Sequence, residues 1–269
     1  MTLHLKSISI RQFDGEISTH FPFTLPVLRS LQEILFDSPV TFLVGENGSG
    51  KSTILEAIAC AIGSTTVGAE SVKTDKTLIQ ARQLARYFKL SWGRRTHRGF
   101  FLRAEDFFGY VKHLAQTREE LESDLAAVDK DYEGRSMLAI NLARSPYLRE
   151  LHGLQEKYGS GLDCRSHGES FMALFQSRFV PDGLYLLDEP EAPLSPVRQL
   201  AFISELKRMV EEKSQFIIAT HSPIIMAFPG AMILSFDYGV MTKVAYEDLE
   251  HVTLMKSFLN NPESYLRRL

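Results

Sequence analysis

The sequence predicts an α/β fold with a mostly parallel central sheet, an antiparallel β portion at the N-terminus and a helical subdomain inserted into the core. Three observations carry this. The apolar run Val40-Thr41-Phe42-Leu43-Val44 leads through a glycine-rich turn into a helical stretch, Thr53 to Ile62, that stops at Gly63. A second apolar run, Leu184 to Leu187, ends on Asp188-Glu189, and a third, Phe216 to Thr220, ends on His221. Short apolar runs alternating with helical periodicity are the mark of buried parallel strands.

Bulk properties set the frame. The 269 residues, 44% of them hydrophobic, suffice for one α/β domain with a real core. We expect a single domain over 1–269: a core from 1–105 and 181–246, a helical subdomain at about 106–180, and a helical tail at 247–269. A net charge of −3 gives no global argument for nucleic acid. The two cysteines, Cys60 and Cys164, lack metal-ligand spacing and suit a reducing cytoplasm. Met1 to Glu16 has no continuous apolar segment, and Pro223 to Phe236 is interrupted by Pro229 and Gly230, so neither an export signal nor an integral membrane segment is expected.

In chain order, Leu3 to Ile10 alternates imperfectly and reads as a strand, with a second near Glu16 to Phe21 as an antiparallel edge. Pro22, Pro26 and Pro39 leave one short helix, about Val27 to Leu35. After the Val40–Val44 strand comes Gly45-Glu46-Asn47-Gly48-Ser49-Gly50-Lys51-Ser52, which fills every fixed position of the phosphate-binding loop G-x-x-x-x-G-K-[ST]. Its glycines let successive N–H groups turn toward phosphate oxygens, and the helix that follows, opening with Thr53, adds the positive end of its dipole. Lys51 in such a loop reaches the β- and γ-phosphates, and the Ser52 hydroxyl can ligate Mg²⁺.

From Lys73 to Arg103 the chain carries nine basic residues and one acid, Asp75, a local balance of +8. This is either a footprint for a nucleic-acid backbone or an acidic protein partner, or a solvated helix and hairpin neutralised by acids elsewhere. Gly99 to Leu102 reads as a strand. From about Phe108 to Tyr158 the pattern is helical, with Val111, Leu114, Leu121, Leu125 and Val128 on one stripe and Ser145-Pro146 as a start signal for a second helix. About three heptads are too few for a long coiled-coil arm. Glycines then loosen the chain before Ser166-His167-Gly168, which falls at the N-terminus of a helix expected from Phe171 to Phe179.

Asp188 and Glu189 end their strand at the sheet edge where open α/β sheets bind ligands. There Asp188 is placed to hold Mg²⁺ and Glu189 to polarise an attacking water. Ser195-Pro196 opens a helix through Glu211, and His221 follows the next strand at the same edge. Strands at Ala231 to Phe236 and Val240 to Tyr246 precede the tail.

The order of these motifs resembles the heads of ABC-type ATPases, over roughly Leu3 to Tyr246. Within that superfamily, Asp188-Glu189-Pro190-Glu191 and Thr220-His221-Ser222-Pro223 look like the branch that includes RecF, Rad50, SMC and OLD-type ATPases, and the chain looks most like small stand-alone bacterial AAA family ATPases. The resemblance implies a P-loop NTPase fold and a homodimer that sandwiches two ATP molecules, opened by Mg²⁺-dependent hydrolysis. It implies that His221 senses the γ-phosphate, and that Ser166 and Gly168 of a divergent signature, Arg165-Ser166-His167-Gly168-Glu169, touch the γ-phosphate bound to the opposite subunit. Glu105 takes the place of the glutamine expected to hold Mg²⁺ or its water, and Glu191 to Ser195 lacks the usual terminal aspartate. Two other readings fit the same motifs: a slowly hydrolysing, ATP-gated module that binds DNA or a protein, and the nucleotide subunit of a membrane transporter.

Overall fold

The computed structural model describes residues 2–13, 19–67, 71–158 and 167–267. It divides into two compact units, one formed by Met1–Ala104 with Val180–Leu269 and the other by Glu105–Phe179.

The first unit holds two sheets. In the smaller one, β1 (Leu5–Ile10) pairs antiparallel with β2 (Glu33–Leu35) and with β4 (Phe88–Trp92). The expected helix at Val27–Leu35 is shorter, because Pro26 opens α1 (Pro26–Ser30) and Leu31 turns extended, after which Ile34 enters the core from β2. The strand expected at Glu16–Phe21 lies partly outside the described residues, and its described part, 19–21, is not a strand.

The larger sheet contains β3 (Val40–Val44), β5 (Phe101–Arg103), β6 (Leu184–Asp188), β7 (Gln215–Ala219), β8 (Met232–Ser235) and β9 (Thr242–Val244) in the order β5-β6-β7-β3-β8-β9. The first five are parallel and β9 closes the edge antiparallel. Every residue of β3, β6, β7 and β8 is buried, as apolar runs covered on both faces require. Because β3, β6, β7 and β8 run the same way, the segments after Val44, Asp188, Ala219 and Ser235 all emerge at one edge, the place where such sheets assemble sites.

Helix α2 (Lys51–Ile62) buries Ile54, Leu55 and Ile58 completely. At about 1.5–3 kcal/mol for each such side chain, this burial anchors the helix that carries the end of the loop. Gly63 caps it in the left-handed conformation, φ 73°. Helix α3 (Ile79–Ala85) packs against α2.

The second unit is built from α4 (Ala104–Asp131), α5 (Met137–Tyr158) and α6 (His167–Arg178), the first residue of α4 belonging to the other unit. Phe171 sits edge-to-face between Phe107 and Phe175, with ring centroids 4.6 and 4.5 Å apart. Ser145-Pro146 does not start a helix; Pro146 lies inside α5, whose true start is set nine residues earlier, where the Ser136 hydroxyl accepts the Ala139 N–H at 3.3 Å. That cap ties down the first turn, leaving Pro146 to cost one interior hydrogen bond.

The remaining helices are α7 (Pro196–Glu211), α8 (Pro223–Met226), α9 (Glu250–Asn260) and α10 (Pro262–Leu266). Among the described residues no helix is long and apolar enough to cross a membrane.

Candidate active site

The loop between β3 and α2 is shaped by its glycines. Gly50 caps α2 at φ 103° and Gly45 stands at φ 142°, conformations that L side chains rarely adopt. A Cβ on Gly45 would also lie 3.0 Å from Ser49 Oγ and 3.1 Å from Asp237 Oδ1, so the chain passes there only as glycine. Lys51, 4% exposed, curls back into the loop, and its ammonium donates to the carbonyl oxygens of Gly45 at 2.7 Å and Glu46 at 2.8 Å. Burial holds its pKa below the ordinary lysine value, against the upward pull of Glu189, Asp188, Asp237 and Glu191. Thr53 follows Ser52 in the first turn of α2, half-buried.

The fold brings Ser52 and Asp188 together across 136 residues of sequence: Ser52 Oγ donates to Asp188 Oδ1 at 3.1 Å. Asp188 is 8% exposed. Burial pushes its carboxyl up to about 7; the Ser52 hydrogen bond opposes this, while Glu189, Glu56 and Glu191 add to it. A buried carboxylate beside a hydroxyl, in a field of other acids, is the hard-oxygen set that Mg²⁺ shares with water and phosphate oxygens. Among the described residues no group of three or more His, Cys, Asp or Glu could hold a metal ion alone. A cation at Ser52 and Asp188 would therefore draw its other ligands from elsewhere.

Glu189 turns sharply away from β6 in the left-handed region, φ 50°, uncommon for a non-glycine residue. The turn is held by its own N–H, which donates to the Ala219 carbonyl at 2.9 Å. His221, two residues beyond β7, places Nε2 3.9 Å from Glu189 Oε1. Burial and the Lys51 charge lower the His221 pKa, with Glu189 pulling the other way. Lys51, Ser52, Asp188, Glu189 and His221 thus meet at one sheet edge.

Three residues at this edge are given no site role by the sequence, though Glu191 lies in the Asp188–Glu191 motif. Asp237, just past β8, accepts the Glu46 N–H at 3.2 Å and the Ser235 hydroxyl at 2.7 Å, fixing the start of the loop. It carried the signal that exposed Asp188, an acid ending an apolar run. Glu191 accepts the His221 N–H at 2.6 Å; burial raises its pKa. His251, in the first turn of α9, lines a cavity of about 500 Å³ with the loop residues Gly45–Ser49, His221 and Asp237, and had no local signal.

Glu105 lies in the first turn of α4 and Gly168, buried, in the first turn of α6, both in the second unit; Ser166 falls outside the described residues. In the basic stretch, Arg103 donates to Asp75 Oδ2 at 2.9 Å and Thr77 Oγ1 at 3.0 Å and faces Glu56 at 3.4 Å. Arg82 holds the carbonyls of Val72 and Asp75, Arg94 pairs with Asp182, and Arg98 donates to the Pro181 carbonyl. At least four of the nine cations are therefore committed within the fold.

A family model described as AAA domain matches residues 21–158, just over half of the 269-residue chain. A second AAA domain model, whose description also names the AbiEii toxin and a type IV TA system, matches residues 170–227. Among solved structures, the chain is similar to an Smc head domain with an extended coiled coil bound to the C-terminal domain of ScpA from Pyrococcus furiosus (14% identity, 97% of this chain and 100% of that one, TM-score 0.47). It is similar also to cbiO1 of Clostridium perfringens, part of the ABC transporter complex cbiONQ (12%, 99% and 99%, 0.48), and to the SMC head domain of Thermotoga maritima (18%, 90% and 98%, 0.44). Comparison with curated proteins finds no match.

Proposed function

The chain belongs to the AAA domain family, as an ATPase with a P-loop NTPase fold, and from that premise we propose that it is a Mg²⁺-dependent, nucleotide-gated homodimer switch acting on a partner. The observation that carries the proposal is the convergence of Lys51, Ser52, Asp188, Glu189 and His221 at one sheet edge.

In this reading the amides of Gly45–Ser52, with Thr53 behind them, receive the phosphate chain. Lys51 exchanges the carbonyls of Gly45 and Glu46 for β- and γ-phosphate oxygens. Ser52 and Asp188 would hold Mg²⁺, which when bound neutralises charge on the phosphoryl oxygens. Glu189 orients or deprotonates the attacking water, and His221, 3.9 Å away, contacts the terminal phosphate. Positioning and charge stabilisation are the whole task, because phosphoryl transfer asks little covalent chemistry of the protein.

The second copy supplies Ser166 and Gly168 to the exposed side of the nucleotide. Supporting this, Gly168 sits in the first turn of α6, at the positive end of the helix dipole. Hydrolysis then opens the dimer, in the cytoplasm, and releases the partner. The commitments of Arg82, Arg94, Arg98 and Arg103 favour a protein over DNA as that partner.

The test is Glu189→Gln. It should keep ATP binding and lose at least about a hundredfold in turnover. Turnover near wild type would remove Glu189 from its role.

A further inference from the structure

The two loops that carry Glu189 and His221 are tied together by side chains with no assigned task. After β6 the chain runs through Glu189, Pro190 and Glu191 to α7; after β7 it runs through Thr220, His221 and Ser222 to α8. Glu191 Oε1 accepts the His221 backbone N–H at 2.6 Å. One turn into α7, Gln199 spans the same gap: its Oε1 accepts the Ser222 hydroxyl at 2.5 Å and its Nε2 donates to the Leu194 carbonyl at 3.1 Å. Ser222 in turn caps α8 by accepting the Ile225 N–H at 3.1 Å, and its own N–H donates to the Thr220 hydroxyl at 3.0 Å. On the other side, the Glu189 N–H is pinned to Ala219.

We infer that Glu191 is a positioning residue of the ATPase site: by accepting the His221 N–H it sets the distance between the His221 imidazole and Glu189, with Gln199 bracing the same pair of loops. This rests on the role proposed for His221. The chemistry favours positioning over direct participation. Glu191 Oε1 is spent on a backbone amide, and a hydrogen bond from an amide to a buried carboxylate is short and directional, well suited to holding one main-chain segment against another. The acceptor is what matters, so an amide oxygen in the same place serves the same purpose. A residue acting only through His221 also has nothing to contribute once the imidazole is gone.

The experiment compares ATP turnover, KM for ATP and thermal melting for Glu191→Gln, Glu191→Ala, His221→Ala and the double variant Glu191→Ala/His221→Ala. Glu191→Ala should lower kcat by about tenfold to a hundredfold with KM little changed, the scale expected when a reacting group is displaced by about an ångström. Glu191→Gln should stay within about threefold of wild type, since the neutral acceptor makes a weaker bond of the same shape. The double variant should be no slower than His221→Ala alone. The inference is overturned if Glu191→Gln is as slow as Glu191→Ala, if the two losses multiply in the double variant, or if Glu191→Ala turns over like wild type while His221→Ala is slow. Wild-type turnover in His221→Ala would bring down the role given to His221 itself, and the positioning inference with it. Glu191→Gln keeps the acceptor, so the comparison survives a folding defect in the alanine variant.

Discussion

Replacing Lys51 by Met separates two roles of one ammonium group. The charge is buried and donates to two carbonyls, at 2.7 and 2.8 Å. Two hydrogen bonds to a charged group are worth roughly 3–6 kcal/mol together, and desolvating the ion costs several kcal/mol in return. Its lowered pKa is the sign that the cost is real. Methionine fills the channel of the lysine stem and removes both terms, so the unliganded melting temperature should move little. Binding should respond very differently. At ATP–Mg²⁺ a hundredfold above Kd, wild type gains about 2.7 kcal/mol, or roughly 5–10 °C in a chain of this size. Losing about 2.7 kcal/mol of phosphate contact raises Kd about a hundredfold, and the same ATP concentration then yields only about 0.4 kcal/mol, near 1 °C. Differential scanning fluorimetry with and without ATP–Mg²⁺ reads both quantities. An ATP-induced shift in Lys51→Met equal to that of wild type would refute the assignment.

Two further outcomes follow from the basic stretch. Arg103→Met strands Asp75 and Glu56 and should destabilise the protein by about 3 kcal/mol in urea melts at pH 7. Against burial, which would raise it, hydrogen bonds from Thr77 and the Arg103 charge hold the Asp75 carboxyl below its ordinary carboxylate value. Its contribution is therefore complete above the ordinary carboxylate value and lost as pH falls through the lower folded-state value, so Arg103→Met should lose less than wild type as pH falls below the ordinary carboxylate range; equal acid losses would contradict the pairing. With at least four of nine cations committed internally, at most five remain for phosphates, so any duplex DNA binding through this stretch should show a log–log salt slope no steeper than about −4.5. A steeper slope in a fluorescence anisotropy titration would return the committed arginines to the count.

The site was legible where its signal is local. The loop Gly45–Ser52 and the acids Asp188-Glu189 each lie within a few residues of an apolar strand that fixes their place in a parallel sheet, so reading the strand also reads the edge. What stayed hidden depends on pairings across the fold. Asp237 reaches the Glu46 amide across 191 residues, and Glu191 becomes informative only when β7 is seen beside β6. The +8 stretch stayed open between a partner's footprint and a neutralised surface for the same reason, since Asp182 and Glu56, two of the acids that meet it, lie outside it in sequence. In the helical unit, Pro146 looked like a start signal because proline suits the first turn, while the decisive cap was one hydroxyl, Ser136, that nothing nearby singled out.

The most direct test of the nucleotide-gated dimer is size-exclusion chromatography with multi-angle light scattering on Glu189→Gln, with and without ATP–Mg²⁺. From a 30.5 kDa chain, the account predicts a monomer mass without nucleotide and twice that mass with ATP, returning to monomer when Lys51→Met is added to the same variant. A monomer at saturating ATP, with binding verified in the same sample, would contradict it.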